Sequence, residues 1–295
     1  MKKFCKDVSV FLFIITTIVV VDVFLQKTLL FKDNNVKLSK NYSVLILGHS
    51  HPANAYDTNF IKNTINMGTA GEAYLYTYFK AKKVIDNNPQ IKKIFVEFTN
   101  NQIDKGMDNW IWDDIHLQYR IKDCGVLLDN EAIQLLYEKN PTGFINAFSK
   151  SLFDNLRRLF ISKKGMVEKG GMGKFIPCDA VYIYKTLPDR PKSRKKTQVD
   201  LEISEYNILY LQKIVKYCQN KDIEVCLIRS PMHKSYDVSY TEYKFKEILR
   251  TKFKNIQWLD YKDFPIPNKG FQDAEHLNSY GAKIYSQYFN NKINN

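Results

Sequence analysis

The stretch that decides the fold runs from Ser43 to His51 and reads SVLILGHSH. It joins the apolar run SVLIL to a turn of polar residues that begins at Gly48. An unbroken apolar run of this length is typical of a strand buried on both faces of a parallel sheet. Four more runs of strand length follow along the chain: Ile65–Met67, Ile94–Phe98, Asp222–Ile228 and Ile256–Leu259. The sequence therefore predicts a sheet of five strands.

Segments with the apolar spacing of amphipathic helices alternate with these strands. They are Glu72–Asp86, Ser204–Gln219, Tyr240–Phe253 and Tyr280–Ile293. Buried strands that alternate with helices indicate an α/β fold with a doubly wound parallel sheet. In such folds ligands bind at the carboxyl ends of the strands, and the turn after SVLIL lies at such an end.

Residues from about 103 to 200 do not follow this alternation. Two helical patterns, Glu131–Lys139 and Phe144–Ile161, precede the glycine- and lysine-rich stretch KKGMVEKGGMGKF. We interpret this region as a helical insertion between the third and fourth strands that ends in a mobile loop.

The N-terminal region contains an apolar run of 18 residues, Val8–Leu25, preceded by Lys2, Lys3 and Lys6. Its length is at the short end for a helix that spans a membrane. A cleaved signal peptide is the alternative, but no small-x-small cleavage site follows the run. We expect residues 1–30 to form a cytoplasmic stub and a single transmembrane anchor. Residues 40–295 then form the α/β domain on the extracytoplasmic side of the cell membrane.

The composition limits the partners of this domain. Lys and Arg number 44 against 31 Asp and Glu, which gives a formal net charge of +13. A basic exported domain suits an anionic membrane surface or an anionic envelope polymer. The densest basic stretch, Arg190–Lys196, lacks interleaved aromatic residues, and we expect a solvated loop there and no nucleic-acid partner. The five cysteines include no C-x-x-C pair, which excludes a zinc ribbon or a disulfide scaffold.

Ser50 stands on the tight turn after the first strand, where a nucleophile can be presented at the sheet edge. From this turn alone, a helix N-cap is the favoured role for the serine, because serine is a preferred capping residue. A nucleophilic serine needs a base and an orienting acid. Asp273 and His276 stand directly before the terminal helix, where a loop can bring both to the same edge. Asp113 and His116 have the same D-x-x-H spacing but lie in the insertion.

Two segments together carry a family resemblance. LILGHSHPANAYD, which contains Ser50, and DAEHLNSYGAKIYSQYF, which contains Asp273 and His276, resemble the SGNH/GDSL hydrolase superfamily. Within it the chain looks most like the membrane-anchored envelope proteins related to DltD and the alginate acetylation factors. The resemblance implies a flavodoxin-like three-layer fold, Ser50 as nucleophile, His276 as general base and Asp273 as the acid that orients it. It implies no cofactor.

The resemblance also implies an oxyanion hole with three donors. These are the Ser50 backbone N–H, a glycine after the second strand and an asparagine after the third. Gly68 is the first choice for the glycine, with Gly71 as the alternative. Asn100 is the first choice for the asparagine, and Asn101 is close behind. Two positions depart from the family pattern: Phe98 stands where a glycine is usual, and His49 where an aspartate is usual.

The resemblance therefore implies a membrane-anchored serine esterase or O-acyltransferase. Its substrate would be an acylated glycan or an acyl donor of the cell envelope, with acetyl as the expected group. A membrane-bound O-acyltransferase is the expected partner. Two alternatives remain open at this point. One is a non-catalytic scaffold of an acyl-transfer complex. The other is a metal-dependent hydrolase that uses His49 and His51, to which His233 could contribute.

Overall fold

A computed structural model describes residues 1–30, 36–157 and 202–294 of the chain. The strands are β1 Val44–Leu47, β2 Thr64–Asn66, β3 Lys93–Glu97, β4 Glu224–Arg229 and β5 Gln257–Asp260. The helices are α1 Lys2–Leu25, α2 Ser50–Ala55, α3 Tyr74–Asp86, α4 Asn109–Trp112, α5 Asp114–Cys124, α6 Asn130–Lys139, α7 Pro141–Arg157, α8 Glu205–Gln219, α9 Ser239–Lys252 and α10 Ser279–Asn294.

The five strands form one parallel sheet in the order β2-β1-β3-β4-β5. This is the strand order of the flavodoxin-like doubly wound fold, so the predicted fold class is confirmed. The chain reverses direction across the sheet between β2 and β3. Since crossovers between parallel strands are right-handed, this reversal places α2 and α3 on opposite faces. The point of reversal lies between β1 and β3, and ligands bind at such switch points.

One half of the core lies between the sheet and the two helices α2 and α10. Ile46, Phe95 and Ile228 project from three adjacent strands into a buried cluster with Tyr285 and Phe289 of α10. Apolar residues fill this layer because both faces of the sheet are covered by helices. The layer holds the terminal helix, and thereby the loop before it, against the first strand.

The chain divides into two compact units. The unit made of residues 38–111 and 172–295 contains the sheet. The other unit is made of residues 1–37 and 112–171, and it contains α1 together with α5, α6 and α7. Within this second unit, Asn155 donates a hydrogen bond to Gln26 Oε1 at 2.8 Å, and both side chains are buried. This contact links α7 to the chain segment that follows α1.

Helix α1 is long and apolar enough to cross a membrane. It has the length and composition of either a single membrane span or a signal sequence. Most of its side chains are exposed, so the large apolar surface of this helix is not packed against the rest of the described chain.

Element boundaries differ from the sequence predictions in a few places. The second predicted helix of the insertion begins at Pro141, because proline fits the first helical position. Its predicted end at Ile161 and the glycine- and lysine-rich loop lie outside the described residues. Helix α5 was not predicted, and the signal for it is Asp113, which caps its N-terminus.

Candidate active site

Ser50 is the first residue of α2, directly after the turn that leaves β1. Gly48 makes this turn with φ of +137°, and a Cβ at that position would lie 2.6 Å from the Cβ of Glu97. Only glycine fits there, because the conformation is left-handed and the β3 backbone is close. The N-cap is His49, whose side chain accepts from the His51 N–H. The Ser50 hydroxyl therefore does not serve as the helix cap.

Asp273 and His276 lie in the loop that precedes α10. The Asp273 carboxylate accepts from the backbone N–H groups of Glu275 at 2.7 Å and His276 at 2.9 Å. The loop is thus wrapped around the carboxylate. The same carboxylate lies 2.9 Å from Nδ1 of His276, which orients the ring. Its other nitrogen, Nε2, is 2.8 Å from the Ser50 hydroxyl oxygen.

The structure therefore brings three of the predicted residues into one hydrogen-bonded chain: Ser50, His276 and Asp273. Burial alone would raise the pKa of Asp273, but its hydrogen bond with His276 and the interaction with the imidazole charge outweigh this and hold the pKa below its usual value. An ionised Asp273 accepts a hydrogen bond from Nδ1–H, and Nε2 is then the unprotonated nitrogen that can accept the proton of Ser50.

The two remaining oxyanion candidates form hydrogen bonds with other groups. The Gly68 N–H donates to Asn66 Oδ1 at 2.9 Å. The Asn100 amide nitrogen donates to Glu242 at 2.8 Å, and its oxygen accepts from Arg229 at 2.7 Å. The Gly68 N–H cannot serve an oxyanion without losing its bond. The Asn100 side chain is fixed between Glu242 and Arg229 with one of its two N–H groups in use.

Other donors on the same loops are not committed in this way. Among residues 1–30, 36–157 and 202–294, no hydrogen bond engages the backbone N–H of Ser50 or Gly71, or the side-chain amide nitrogen of Asn101. Gly71 has φ of +67°, a conformation that favours glycine. These three donors follow β1, β2 and β3, whose carboxyl ends are neighbours in the sheet.

A second group of ionisable side chains lies next to the serine. His49, His51 and Glu97 are buried, and their ligand-type atoms all lie within 4.8 Å of one another. Burial lowers the pKa of both histidines. Burial also raises the pKa of Glu97 to about 8, against the opposing effect of hydrogen bonds from Ser230. Glu97 is not among the residues predicted for the site, although a carboxylate inside the buried run IFVEF is itself a signal.

The other two histidines lie elsewhere. His233 Nδ1 contacts Ser235 Oγ at 2.6 Å, and its Nε2 contacts Asn268 at 3.1 Å. Both of its ring nitrogens are thus used in loop contacts. His116 lies 2.8 Å from Asp113 at the start of α5, in the unit that does not contain Ser50.

Known proteins resemble this chain distantly. A family model that carries no description matches residues 189–295. No curated protein matches the sequence. Among solved structures, the fold is similar to that of a Bacteroides fragilis protein provisionally described as an acylhydrolase. That match has a TM-score of 0.41 and 11% sequence identity, and it covers 92% of this chain and 96% of the other. Similarity at this level does not extend to function.

Proposed function

We propose that this protein is a serine hydrolase or acyltransferase of the SGNH type that acts on acyl esters. The observation that carries the proposal is the chain of contacts from Ser50 through His276 to Asp273. It joins residues 226 positions apart in sequence at the switch point of the sheet. A nucleophile, a base within hydrogen-bond distance and an acid that orients the base are the parts that acyl transfer through a serine requires.

In the first half of the reaction, His276 Nε2 takes the proton of the Ser50 hydroxyl as Oγ attacks the acyl carbonyl carbon. The carbonyl π electrons move to the oxygen and form a tetrahedral oxyanion. Collapse of this intermediate expels the alcohol, which takes the proton from the imidazolium. Asp273 stabilises the imidazolium through Nδ1–H while it exists. Departure of the alcohol leaves the acyl group as an ester on Ser50 Oγ.

In the second half, an acceptor hydroxyl loses its proton to Nε2 and attacks the acyl-serine. Collapse returns Oγ as the leaving group, and Oγ recovers the proton from His276. Water as acceptor makes the protein an esterase, whereas a sugar hydroxyl makes it an O-acyltransferase. The same residues perform both reactions, because the two acceptors differ only in what is attached to the oxygen.

The oxyanion hole in this proposal differs from the first choice made from the sequence. Gly71 replaces Gly68, and Asn101 replaces Asn100, while the Ser50 N–H is retained. The reason is hydrogen bonding: the Gly68 N–H and the Asn100 amide nitrogen each donate within the fold, whereas the Gly71 N–H and the Asn101 amide nitrogen do not donate to any of the residues that the structure describes. Donors without other partners stabilise a developing oxyanion without first breaking a bond.

We further propose that the substrate is an acylated glycan of the cell envelope, as in DltD-like proteins and alginate acetylation factors. Helix α1 would anchor the chain with residues 40–295 on the extracytoplasmic side, and a membrane-bound O-acyltransferase would supply acyl groups. The net charge of +13 favours an anionic envelope polymer. The anchor predicts that the full chain stays with membranes at high salt, since salt screens charge but not apolar contact.

Hydrolysis of 4-nitrophenyl acetate by the detergent-solubilised full chain tests the activity. We expect turnover that is lost in Ser50→Ala. A rate that is unchanged in Ser50→Ala would contradict the proposal. Adding an acetylated and a non-acetylated glycan then separates the two reactions, because a transferase moves acetyl to the second glycan while an esterase releases acetate.

A further inference from the structure

The group formed by His49, His51 and Glu97 has no role in the proposed acyl transfer. The side chains of its members are almost completely excluded from solvent, with exposed fractions of 1%, 2% and 0%. Polar groups buried this deeply are normally engaged in hydrogen bonds, because an unpaired one loses its interactions with water and gains none in return.

His51 does not meet this expectation. Within residues 1–30, 36–157 and 202–294, neither of its ring nitrogens has a hydrogen-bond partner. Its Nδ1 lies 3.9 Å from Glu97 Oε1, which is too long for a hydrogen bond. Nδ1 therefore points toward a carboxylate with space between the two atoms.

Two of the three side chains are oriented by hydrogen bonds, as metal ligands usually are. A histidine that binds a metal through one ring nitrogen usually has a polar partner for the other nitrogen. Nε2 of His51 lies 3.8 Å from a Glu275 carboxylate oxygen, and Nε2 of His49 lies 3.0 Å from Thr99 Oγ1. Glu97 is held by the N–H and hydroxyl of Ser230 at 2.8 and 2.6 Å. His49 and Glu97 are thus held in place by hydrogen bonds, whereas His51 has a carboxylate oxygen near each ring nitrogen but no hydrogen bond.

We propose that His49, His51 and Glu97 bind one divalent transition-metal ion of the zinc class. Two imidazoles and one carboxylate are donors that Zn²⁺ accepts, and three protein ligands leave a fourth tetrahedral position for water. Ligand atoms around a tetrahedral Zn²⁺ are about 3.4 Å apart, given metal–ligand bonds of about 2.0–2.2 Å. The ligand-type atoms lie within 4.8 Å of one another, so their separations need to contract by up to about 1.4 Å through side-chain rotation. The metal would bind Nδ1 of His49 in place of the long contact, 3.5 Å, that this nitrogen accepts from the His51 N–H.

The proposed ligands do not include His276, although its ring is edge-on to that of His51 with centroids 5.2 Å apart. His276 is already engaged at both nitrogens, by Asp273 and by Ser50. The proposed metal site shares no residue with the proposed acyl transfer, so either proposal can be wrong without the other. The test of the metal site measures bound metal rather than turnover.

Zinc binding to the detergent-solubilised full chain provides the test, after the chain has been stripped with a chelator and dialysed against Zn²⁺. We expect one tightly bound zinc per chain. His51→Gln and Glu97→Gln should each weaken binding at least tenfold, while the matched controls His116→Gln and His233→Gln should bind as the native protein does. Absence of saturable binding to the native protein would overturn the proposal, as would loss of binding in His276→Gln.

X-ray absorption at the zinc edge identifies the ligands in the native protein. It therefore tests the proposal even if the glutamine variants do not fold. The native protein should show two imidazole ligands with Zn–N distances of about 2.0–2.1 Å and oxygen for the remainder. Three imidazoles would place the ion on His276, and a sulfur ligand would place it on a cysteine. Either spectrum would overturn the assignment.

Discussion

Two Asp-x-x-His pairs in this protein have nearly the same local geometry and differ in what the fold places beside them. Asp113 accepts from the His116 backbone N–H at 2.7 Å and lies 2.8 Å from its Nδ1. Asp273 makes the same two contacts with His276, both at 2.9 Å. The two histidine side chains are also similarly exposed, at 21% and 20%. The spacing and the local bonds therefore do not distinguish the pairs.

The distinguishing contact is long-range. His276 Nε2 lies 2.8 Å from Ser50 Oγ, because α10 packs against the same face of the sheet as α2. Asp113 instead caps α5 in the other unit of the chain. A short motif can thus serve as a helix cap in one place and as a candidate catalytic pair in another. The sheet topology, not the motif, decides between these roles.

The largest difference between the pairs should appear when the histidines are removed. Ser50→Ala and His276→Ala should each lower kcat on a small acyl ester by about 10⁵-fold or more, the size of loss seen when a serine protease loses its nucleophile or its base. His116→Ala is the matched control and should keep most of the activity. Initial rates are measured on folded protein. Equal losses in the two histidine variants would show that His276 has no catalytic role that His116 lacks.

Exchange of the aspartates should give the next largest difference. Asp273→Asn should lower kcat by about 10⁴-fold, since an amide can hold the wrong tautomer of His276. Asp113→Asn should leave kcat unchanged. It should also change the free energy of unfolding little, because asparagine caps helices about as well as aspartate. Unaltered kcat in Asp273→Asn would mean that His276 works without an orienting acid.

Substitution of the adjacent residues Asn100 and Asn101 tests which of them donates to the oxyanion. Asn101→Ala should lower kcat by about 10²- to 10³-fold with little change in stability, the usual cost of removing one oxyanion donor. Asn100→Ala should mainly destabilise the fold, by about 1–3 kcal/mol, because buried Arg229 loses an acceptor. Denaturant unfolding and kcat, measured on both variants, separate the two effects. The reverse pattern would restore Asn100 as the donor.

The smallest effect concerns the acid stability of the unit that carries Ser50 and His276. Burial would raise the pKa of Glu242, but hydrogen bonds from Arg229 and Asn100 and the Arg229 charge lower it from 4.5 to about 2. The unfolded chain therefore binds this proton first as the pH falls. The contribution of Glu242 to stability is complete above about pH 4.5 and is lost as the pH falls toward 2.

Glu242→Gln should accordingly show a shallower loss of stability over this pH range than the native protein. Asp113→Asn serves as the control, since it changes an acid in the other unit. Unfolding curves at a series of pH values between about 5 and 2 measure the slope. Parallel slopes for Glu242→Gln and the native protein would show that Glu242 titrates alike in the folded and unfolded states.

The sheet could be predicted from the sequence because buried parallel strands are continuous apolar runs. SVLIL and IFVEF give β1 and β3 to within a residue of their ends. The proximity of Ser50 and His276 could also be predicted, since both stand next to elements whose order in the sheet follows from topology rules. Helix α5 was not predicted, because its apolar spacing is weak and its clearest signal is the cap at Asp113.

Choices between neighbouring residues could not be made from the sequence. Gly68 and Gly71 stand in one loop, and the difference lies in the Asn66 side chain that accepts from the Gly68 N–H. Asn100 and Asn101 have identical side chains. Arg229, which stands 129 residues farther along, engages the first of them. The Asn100 amide nitrogen donates to Glu242, 142 residues farther along, and no local pattern encodes these two long-range partners.

Covalent labelling by a fluorophosphonate tests the central claim most directly, because the reagent phosphonylates only a serine that a neighbouring base activates. Intact-mass and peptide analysis of the full chain should show a single adduct on Ser50. We expect no adduct in Ser50→Ala, much slower labelling in His276→Ala, and labelling at the native rate in His116→Ala. A native protein that gains no adduct, or an adduct that persists in Ser50→Ala, would contradict the claim that Ser50 is an activated nucleophile.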